Sequence, residues 1–216
     1  MKKFLTAVLL IGISLAGMAG CSKDNDKDSP STAGGLEGIY FISRTGYNWG
    51  GMFSYFEPFA LFKDGGVRRH LKAPVETLNI ASDKKEHPGD WGKWQKQGRN
   101  IVVQWANDNE TWEDWYVSFP ANSGEKLSGT YTSFFALANS GRGEKYTFAA
   151  NGSFSMKRQT ASGNETISGT YELKGYGIYF TYSNGTKESW SFCFYPKNGQ
   201  KNTEAFLMAE DNFTRD

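Results

Sequence analysis

The stretch "SGTYELKGYGIYFTYSNGTKESWSFCFYP", Ser168 to Pro196, carries the fold in its alternation. Asn184-Gly185 is a pair suited to a tight hairpin turn. After it, Trp190, Phe192 and Phe194 fall on one face, and Ser191, Cys193 and Tyr195 on the other. "KYTFAANGSFSMKR" turns in the same way at Asn151-Gly152. "NIVVQWA" sets Ile101, Val103 and Trp105 on one side, and "EDWYVSFP" does so with Trp115, Val117 and Phe119. No segment offers a long helical stripe, so the pattern predicts an all-β, antiparallel protein.

Working outward, the chain repeats itself. Gly92 to Pro120, "GKWQKQGRNIVVQWANDNETWEDWYVSFP", parallels Gly169 to Pro196, with Trp94 matching Tyr171 and Gly98 matching Gly175. Trp115 and Phe119 match Trp190 and Phe194 if the second turn is one residue shorter. Upstream, "ALFKDGGVRRH" parallels "YTFAANGSFSMKR", and each half opens on a Gly-x-Tyr strand, at Gly38 and Gly129. The expectation is one domain, residues 37–216, folded as a duplicated antiparallel β-barrel of about ten to twelve strands. "EAFLMAEDNFTR" is its closing segment. Closure removes sheet edges, which otherwise invite association. A two-sheet sandwich is the alternative, because periodicity does not separate the two.

The chain holds 16 Phe, 11 Tyr, 7 Trp and 25 Gly. Aromatics favour strands and Gly marks turns, which agrees with the all-β reading. The formal charge is +1 and falls to about −1 without residues 1–20, so the long-range pull of a nucleic-acid binder is missing.

The beginning of the chain reads differently. Lys2 and Lys3 precede "FLTAVLLIGISLAGMAG", residues 4–20, which ends in small residues directly before Cys21. This is a secretory signal pattern, and its length is marginal for a retained span. With Leu15, Ala19 and Gly20 before Cys21, it resembles the lipobox of bacterial lipoproteins. That resemblance implies a signal peptide over residues 1–20, lipidation at Cys21 and a flexible tether over 21–36. Lipid chains contribute about 0.8 kcal/mol per buried methylene, so several chains anchor stably. Lys23 with Asp24, Asp26 and Asp28 resembles the surface-export signal of Bacteroidetes lipoproteins. The implied location is the bacterial outer membrane, lipid-anchored and facing outward. Lipidation would leave Cys193 without an intrachain partner, which excludes a disulfide scaffold.

The repeated Gly-x-Tyr, the Asn-Gly turns and the closing "FLMAEDNFTR" also resemble lipocalin-like lipoprotein domains over roughly Gly38 to Arg215. This resemblance implies a calycin-type barrel, often with a small-molecule cavity, although the short Gly-x-Trp start of lipocalins is replaced here by Gly-x-Tyr. The aromatics of such a wall either fill the interior or line a pocket. Trp105, Trp115, Tyr182 and Trp190 are the wall candidates for ligand binding. Tyr47, Trp49, Phe53 and Tyr55 are the candidates from the glycine-rich segment "RTGYNWGGMFSYFEPF", expected as a loop that serves as lid, stacking platform or plug. No catalytic residue, metal site or cofactor is expected. His70 and His87 lie apart without clustered cysteines, and Glu110 and Glu113 sit by a turn where solvated acids are ordinary. The expected function is binding of a small apolar or amphipathic ligand. A glycan- or protein-interaction module on a solid core is the second reading, and a hydrolytic enzyme the third.

Overall fold

The computed structural model describes residues 35–48, 51–133, 144–160 and 163–216. The signal segment, Cys21, the tether to residue 34 and Trp49 lie outside the described residues. The first half contains β1 (Leu36–Asn48), β2 (Gly51–Phe62), β3 (Gly66–Arg68), helix α1 (Ile80–Glu86), β4 (Trp91–Gln97), β5 (Asn100–Gln104), β6 (Asn109–Trp112) and β7 (Trp115–Val117). The second contains β8 (Gly129–Ser133), β9 (Glu144–Phe148), β10 (Ser153–Thr160), β11 (Gly163–Lys174), β12 (Gly177–Tyr182), β13 (Lys187–Lys197), β14 (Gln200–Met208) and β15 (Asp211–Arg215).

The fold is all-β and antiparallel, but its strands do not share one wall of ten to twelve. They form a seven-stranded sheet, β6-β5-β4-β3-β2-β1-β7, and a closed barrel, β10-β11-β12-β13-β14-β15-β8-β9. In the first sheet the two edge strands are consecutive in sequence, separated only by Glu113 and Asp114. Consecutive Cα atoms lie about 3.8 Å apart, so this short link draws the edges together and curls the sheet into a barrel-like shape. In the second, the β14–β15 hairpin sits between β13 and β8 and completes the ring. The closed barrel satisfies its edges within itself, whereas β6 and β7 remain the edges of the first sheet, a difference that a strand count from periodicity does not reveal.

The sequence repeat has a geometric counterpart. The order β6-β5-β4-β3-β2-β1 matches β13-β12-β11-β10-β9-β8. Gly65 and Gly152 both take positive φ, 83° and 86°. Their carbonyls accept from the N–H of Trp94 and Tyr171, each at 2.8 Å. Gly98 and Gly175 turn the next hairpins at φ 63° and 56°. Gly92 and Gly169 lie so close to the facing strand that an added Cβ would stand 2.7 Å from the Gln104 carbonyl and 2.2 Å from that of Thr181.

One part of the expected alignment shifts. Register places Trp112 opposite Ile101 and Trp190 opposite Ile178, so Trp112 is the counterpart of Trp190, and Trp115 is not. The physical reason is turn length: Trp105 N–H closes on Asp108, whereas Tyr182 N–H closes on Thr186, one residue further. Phe119 and Phe194, aligned as equivalents from sequence, bond directly to each other through both backbone amides, at 3.0 and 2.9 Å.

Three apolar clusters result. Phe59, Leu61, Val67, Ile101, Val103 and Trp112 fill the first sheet's interior. Tyr131, Phe148, Phe180, Phe192, Phe194 and Phe206 belong to the cluster that fills the closed barrel. The third lies between them, where Ile39, Phe41, Phe62 and Trp91 meet Cys193 and Leu207. Polar stitches cross the same junction. Ser191 donates through its N–H to the Lys72 carbonyl at 2.8 Å and through its hydroxyl to that of Leu71, and Tyr176 N–H donates to Glu76 at 2.6 Å.

Gly169→Ala and Gly92→Ala are each expected to cost about 1–3 kcal/mol, because the new methyl group meets backbone that cannot swing aside. Gly89, with nothing within 4 Å of its added Cβ, serves as the control and should shift by less than about 0.5 kcal/mol as alanine. Urea unfolding followed by tryptophan fluorescence measures all three.

Candidate functional site

The aromatic wall residues do not line a hollow barrel. Trp105 is buried in the first interior, and Trp115 packs against the same cluster while its indole N–H donates to the Arg99 carbonyl at 3.0 Å. Tyr182 and Trp190 are half-buried against the core of the second barrel. These side chains instead build one polar device twice. Trp112 donates its indole N–H to Glu110 at 2.9 Å, and Trp190 donates to Glu188 at 3.2 Å. In the second copy the carboxylate takes a further bond from the aromatic residue at the end of the preceding strand, the Tyr182 hydroxyl donating to Glu188 at 2.7 Å. The repeated Glu-x-Trp was the signal for it, at residues 110–112 and 188–190.

In the first copy, Arg44 joins Glu110 at 2.8 Å and Glu57 at 2.7 Å. Burial pushes the Glu110 carboxyl upward, but the hydrogen bonds from Trp112 and Arg44 and the Arg44 charge outweigh it, leaving the pKa below the ordinary value. Glu113, its neighbour in sequence, is exposed.

The segment expected as an aromatic loop is a continuation of the β1–β2 hairpin, paired through Gly46↔Phe53, Tyr47↔Met52 and Asn48↔Gly51. The absent side chain of Gly46 makes room for the Phe53 ring, whose atoms lie as near as 2.5 Å to where a Cβ would be. Tyr47 and Met52 project into solvent, 78% and 71% exposed. Tyr55, further down β2, reaches the junction between the two halves.

There a cleft of about 490 Å³ opens, within the size range of small-molecule sites. Its walls come from both halves: Phe41, Tyr55 and Phe56 from β1 and β2, Tyr116 from β7, and Tyr195 from β13. The rings contact one another, Phe41 to Tyr195 at 4.6 Å, Phe56 to Tyr195 at 5.4 Å and Phe56 edge-on to Tyr116 at 6.0 Å between centroids. Asn202, Asn212 and Thr214 supply polar groups from β14 and β15. Asn212 is only 8% exposed; its amide oxygen accepts from the Tyr195 hydroxyl, while its amide nitrogen has no hydrogen-bond partner among the described residues. A buried donor left unpaired costs about 1–3 kcal/mol, which a bound acceptor would recover. Of the residues expected to bind ligand, Tyr55 alone among those described lines this cleft. Phe56, Tyr116, Tyr195 and Asn212 were missed.

An adjoining chamber of about 250 Å³ shares Tyr55 and Phe56 with the cleft and adds Glu57, His70, Glu210 and Asp211. Its rim is strained. His70, Ala209 and Glu210 all hold positive φ, at 58°, 49° and 75°, where non-glycine residues cost on the order of 1–3 kcal/mol each. His70 Nδ1 lies 3.3 Å from Glu210. Beyond it a third cleft brings His70 and His87 together with Asp83 and Asp90. There Arg68 binds Asp83 at 2.7 Å and Asp90 at 3.1 Å, and Trp91 donates to Asp83 at 2.6 Å, which fixes α1 against the sheet. Among the described residues, no group of three or more His, Cys, Asp or Glu side chains converges to hold a metal ion, and no helix is long and apolar enough to cross a membrane.

No protein-family model, curated protein or solved structure matches the chain, so its site is read from its own geometry.

The Asp211 carboxyl is pushed up to about 6, first by burial and then by Glu144 and Glu210. Its folded pKa therefore exceeds the ordinary value of 3.8. Between these two values the unfolded chain has lost the proton that the folded chain keeps, so stability falls as pH rises from about 4 to 6. Asp211→Asn should abolish that fall. Allowing for partial exposure, it should stabilise the protein at pH 7.5 by about 1 kcal/mol, with little change at pH 4. Thermal melts at the two pH values provide the comparison.

Proposed function

We propose that this chain is a bacterial outer-membrane lipoprotein, anchored through Cys21, that binds a small amphipathic molecule between two copies of one barrel-like unit. The observation that carries the reading is the aromatic cleft at the junction, with the buried, unpaired amide nitrogen of Asn212 in its lining. The shared strand order and the matched Gly65/Gly152 and Gly92/Gly169 contacts support duplication of an ancestral lipocalin-like unit. Both interiors are packed with side chains, so the ligand belongs between the units. Apolar contact with Phe56, Tyr116 and Tyr195 supplies the affinity, and Asn212 orients the ligand.

The exposed Tyr47 and Met52 at the hairpin tip favour a second reading, in which the hairpin contacts a glycan or protein surface. Native mass spectrometry of the protein from its own organism, followed by titration with the recovered molecule, separates the two. The cleft reading expects a co-purifying small molecule whose affinity drops about tenfold in Phe56→Ala, the loss of about 1.4 kcal/mol of ring contact. Replacing Tyr47 should leave that affinity unchanged. A protein that is reproducibly empty, or a ligand lost on replacing Tyr47 and kept in Phe56→Ala, would count against the cleft.

A further inference from the structure

We infer that the molecule held in this cleft is uncharged and carries a carbonyl-type oxygen, which accepts a hydrogen bond from the Asn212 amide while its apolar body lies between Phe56, Tyr116 and Tyr195. The inference rests on the cleft reading above and adds the polarity of the ligand. It starts from the charge of the lining. Among the described residues, no Lys, Arg, His, Asp or Glu lines the cleft. A charged group brought there from water loses hydration without meeting a counter-charge, which costs far more than burying a neutral group that is hydrogen-bonded. Ammonium and carboxylate ligands are therefore disfavoured.

The polar groups that do line the cleft are oriented alike. Asn212 and Thr214 stand on the outer face of the closed barrel, because Phe213 between them fills its interior. The Tyr195 hydroxyl, which burial pushes well above its ordinary pKa, keeps its proton and donates it to the Asn212 amide oxygen. Among the described residues that oxygen is the hydroxyl's one acceptor. The amide is thereby fixed in orientation, with its nitrogen as the unpaired end. Asn202, which faces Tyr195 in the β13–β14 register, is turned in the same sense: its oxygen accepts from the Glu204 N–H at 3.1 Å. Both carboxamides of the cleft thus have committed oxygens, and each has N–H left to offer. A ligand with lone pairs and no charge, such as a ketone, ester or lactone, matches these donors and removes the cost of leaving the Asn212 nitrogen unpaired.

The test uses the full-length protein in lipid nanodiscs at pH 7.5, titrated calorimetrically against empty nanodiscs. The probes are 4-phenylbutan-2-one, 4-phenylbutan-2-amine and 3-phenylpropanoate, which share one shape and end in a ketone, an ammonium and a carboxylate. The expected result is binding of the ketone at least about tenfold tighter than either ion. Asn212→Asp keeps an acceptor for Tyr195 but replaces the donor with a negative charge. It should weaken the ketone about tenfold and place the amine ahead of it. Asn202→Ala should weaken the ketone about twofold, and Phe56→Ala should weaken it as well. Circular dichroism checks the fold of each variant. If Asn212→Asp fails that check, Asn202→Ala carries the test, and an unchanged ketone affinity in it overturns the donor assignment. Equal or tighter binding of either ion by the native protein, lost in Phe56→Ala, overturns the neutral-ligand inference while leaving the cleft as a ligand site. A ketone preference that survives in folded Asn212→Asp overturns the assignment to Asn212. No binding of any probe counts against both the inference and the cleft.

Discussion

Residues Ser191 to Phe194 are packed on both sides at once, and the rest of the structure is arranged around that double burial. None of the four has measurable exposure. Phe192 and Phe194 point into the closed barrel, while Cys193 points outward into the junction with Ile39, Phe41 and Trp91. A strand that faces water on one side alternates apolar and polar residues; this one is the inner wall of one unit and the floor of the contact with the other. Its polar members are accounted for. Ser191 bonds to the Leu71–Lys72 backbone, and the Cys193 thiol, pushed up to about 12 chiefly by burial, stays neutral. The aromatic cleft exists because Tyr195, the next residue on this strand, emerges at the edge of the same contact.

Much of the architecture is legible in the residues. Asn-Gly pairs and alternating aromatics establish antiparallel hairpins, and the matched glycines reflect backbone demands that no other side chain meets. Gly92 and Gly169 recur because a facing carbonyl occupies the space a Cβ would need. How each sheet curls or closes is not legible in this way. The curl of the first half depends on a two-residue link between β6 and β7, and the closure of the second on an added hairpin, while alternation looks the same in both. The shifted tryptophan match has a similarly local cause, since the second turn is one residue longer than the first, not shorter, and so brings Trp190 opposite Ile178 as Trp112 is opposite Ile101.

The cleft was harder to read because its parts come from six strands spread over both halves. A partial signal existed. Tyr195 sits on the face opposite Phe192 and Phe194, where an isolated strand would carry a polar residue, and Tyr116 stands opposite Trp115 and Val117 in the same way. Aromatics on the nominal outer faces of two strands mark a surface that another element covers. The excess of aromatic residues is thereby divided into three uses: filling two interiors, joining them, and lining the opening that remains at the joint.

The contact across β13 also bears on how the chain acquires its structure. Phe41 and Phe62 belong to the first strands made, but their packing partners Cys193 and Leu207 follow more than a hundred residues later. The barrel itself closes by joining β8 to β15, the last strand of the chain. During synthesis, the first unit must therefore wait with an apolar flank uncovered until the second has emerged and closed. Contacts of such long sequence separation slow folding and lengthen the period in which an escort protein is useful. A chain truncated before β15 would leave the first unit's partner surface unformed, so incomplete products carry a sticky flank that marks them for removal.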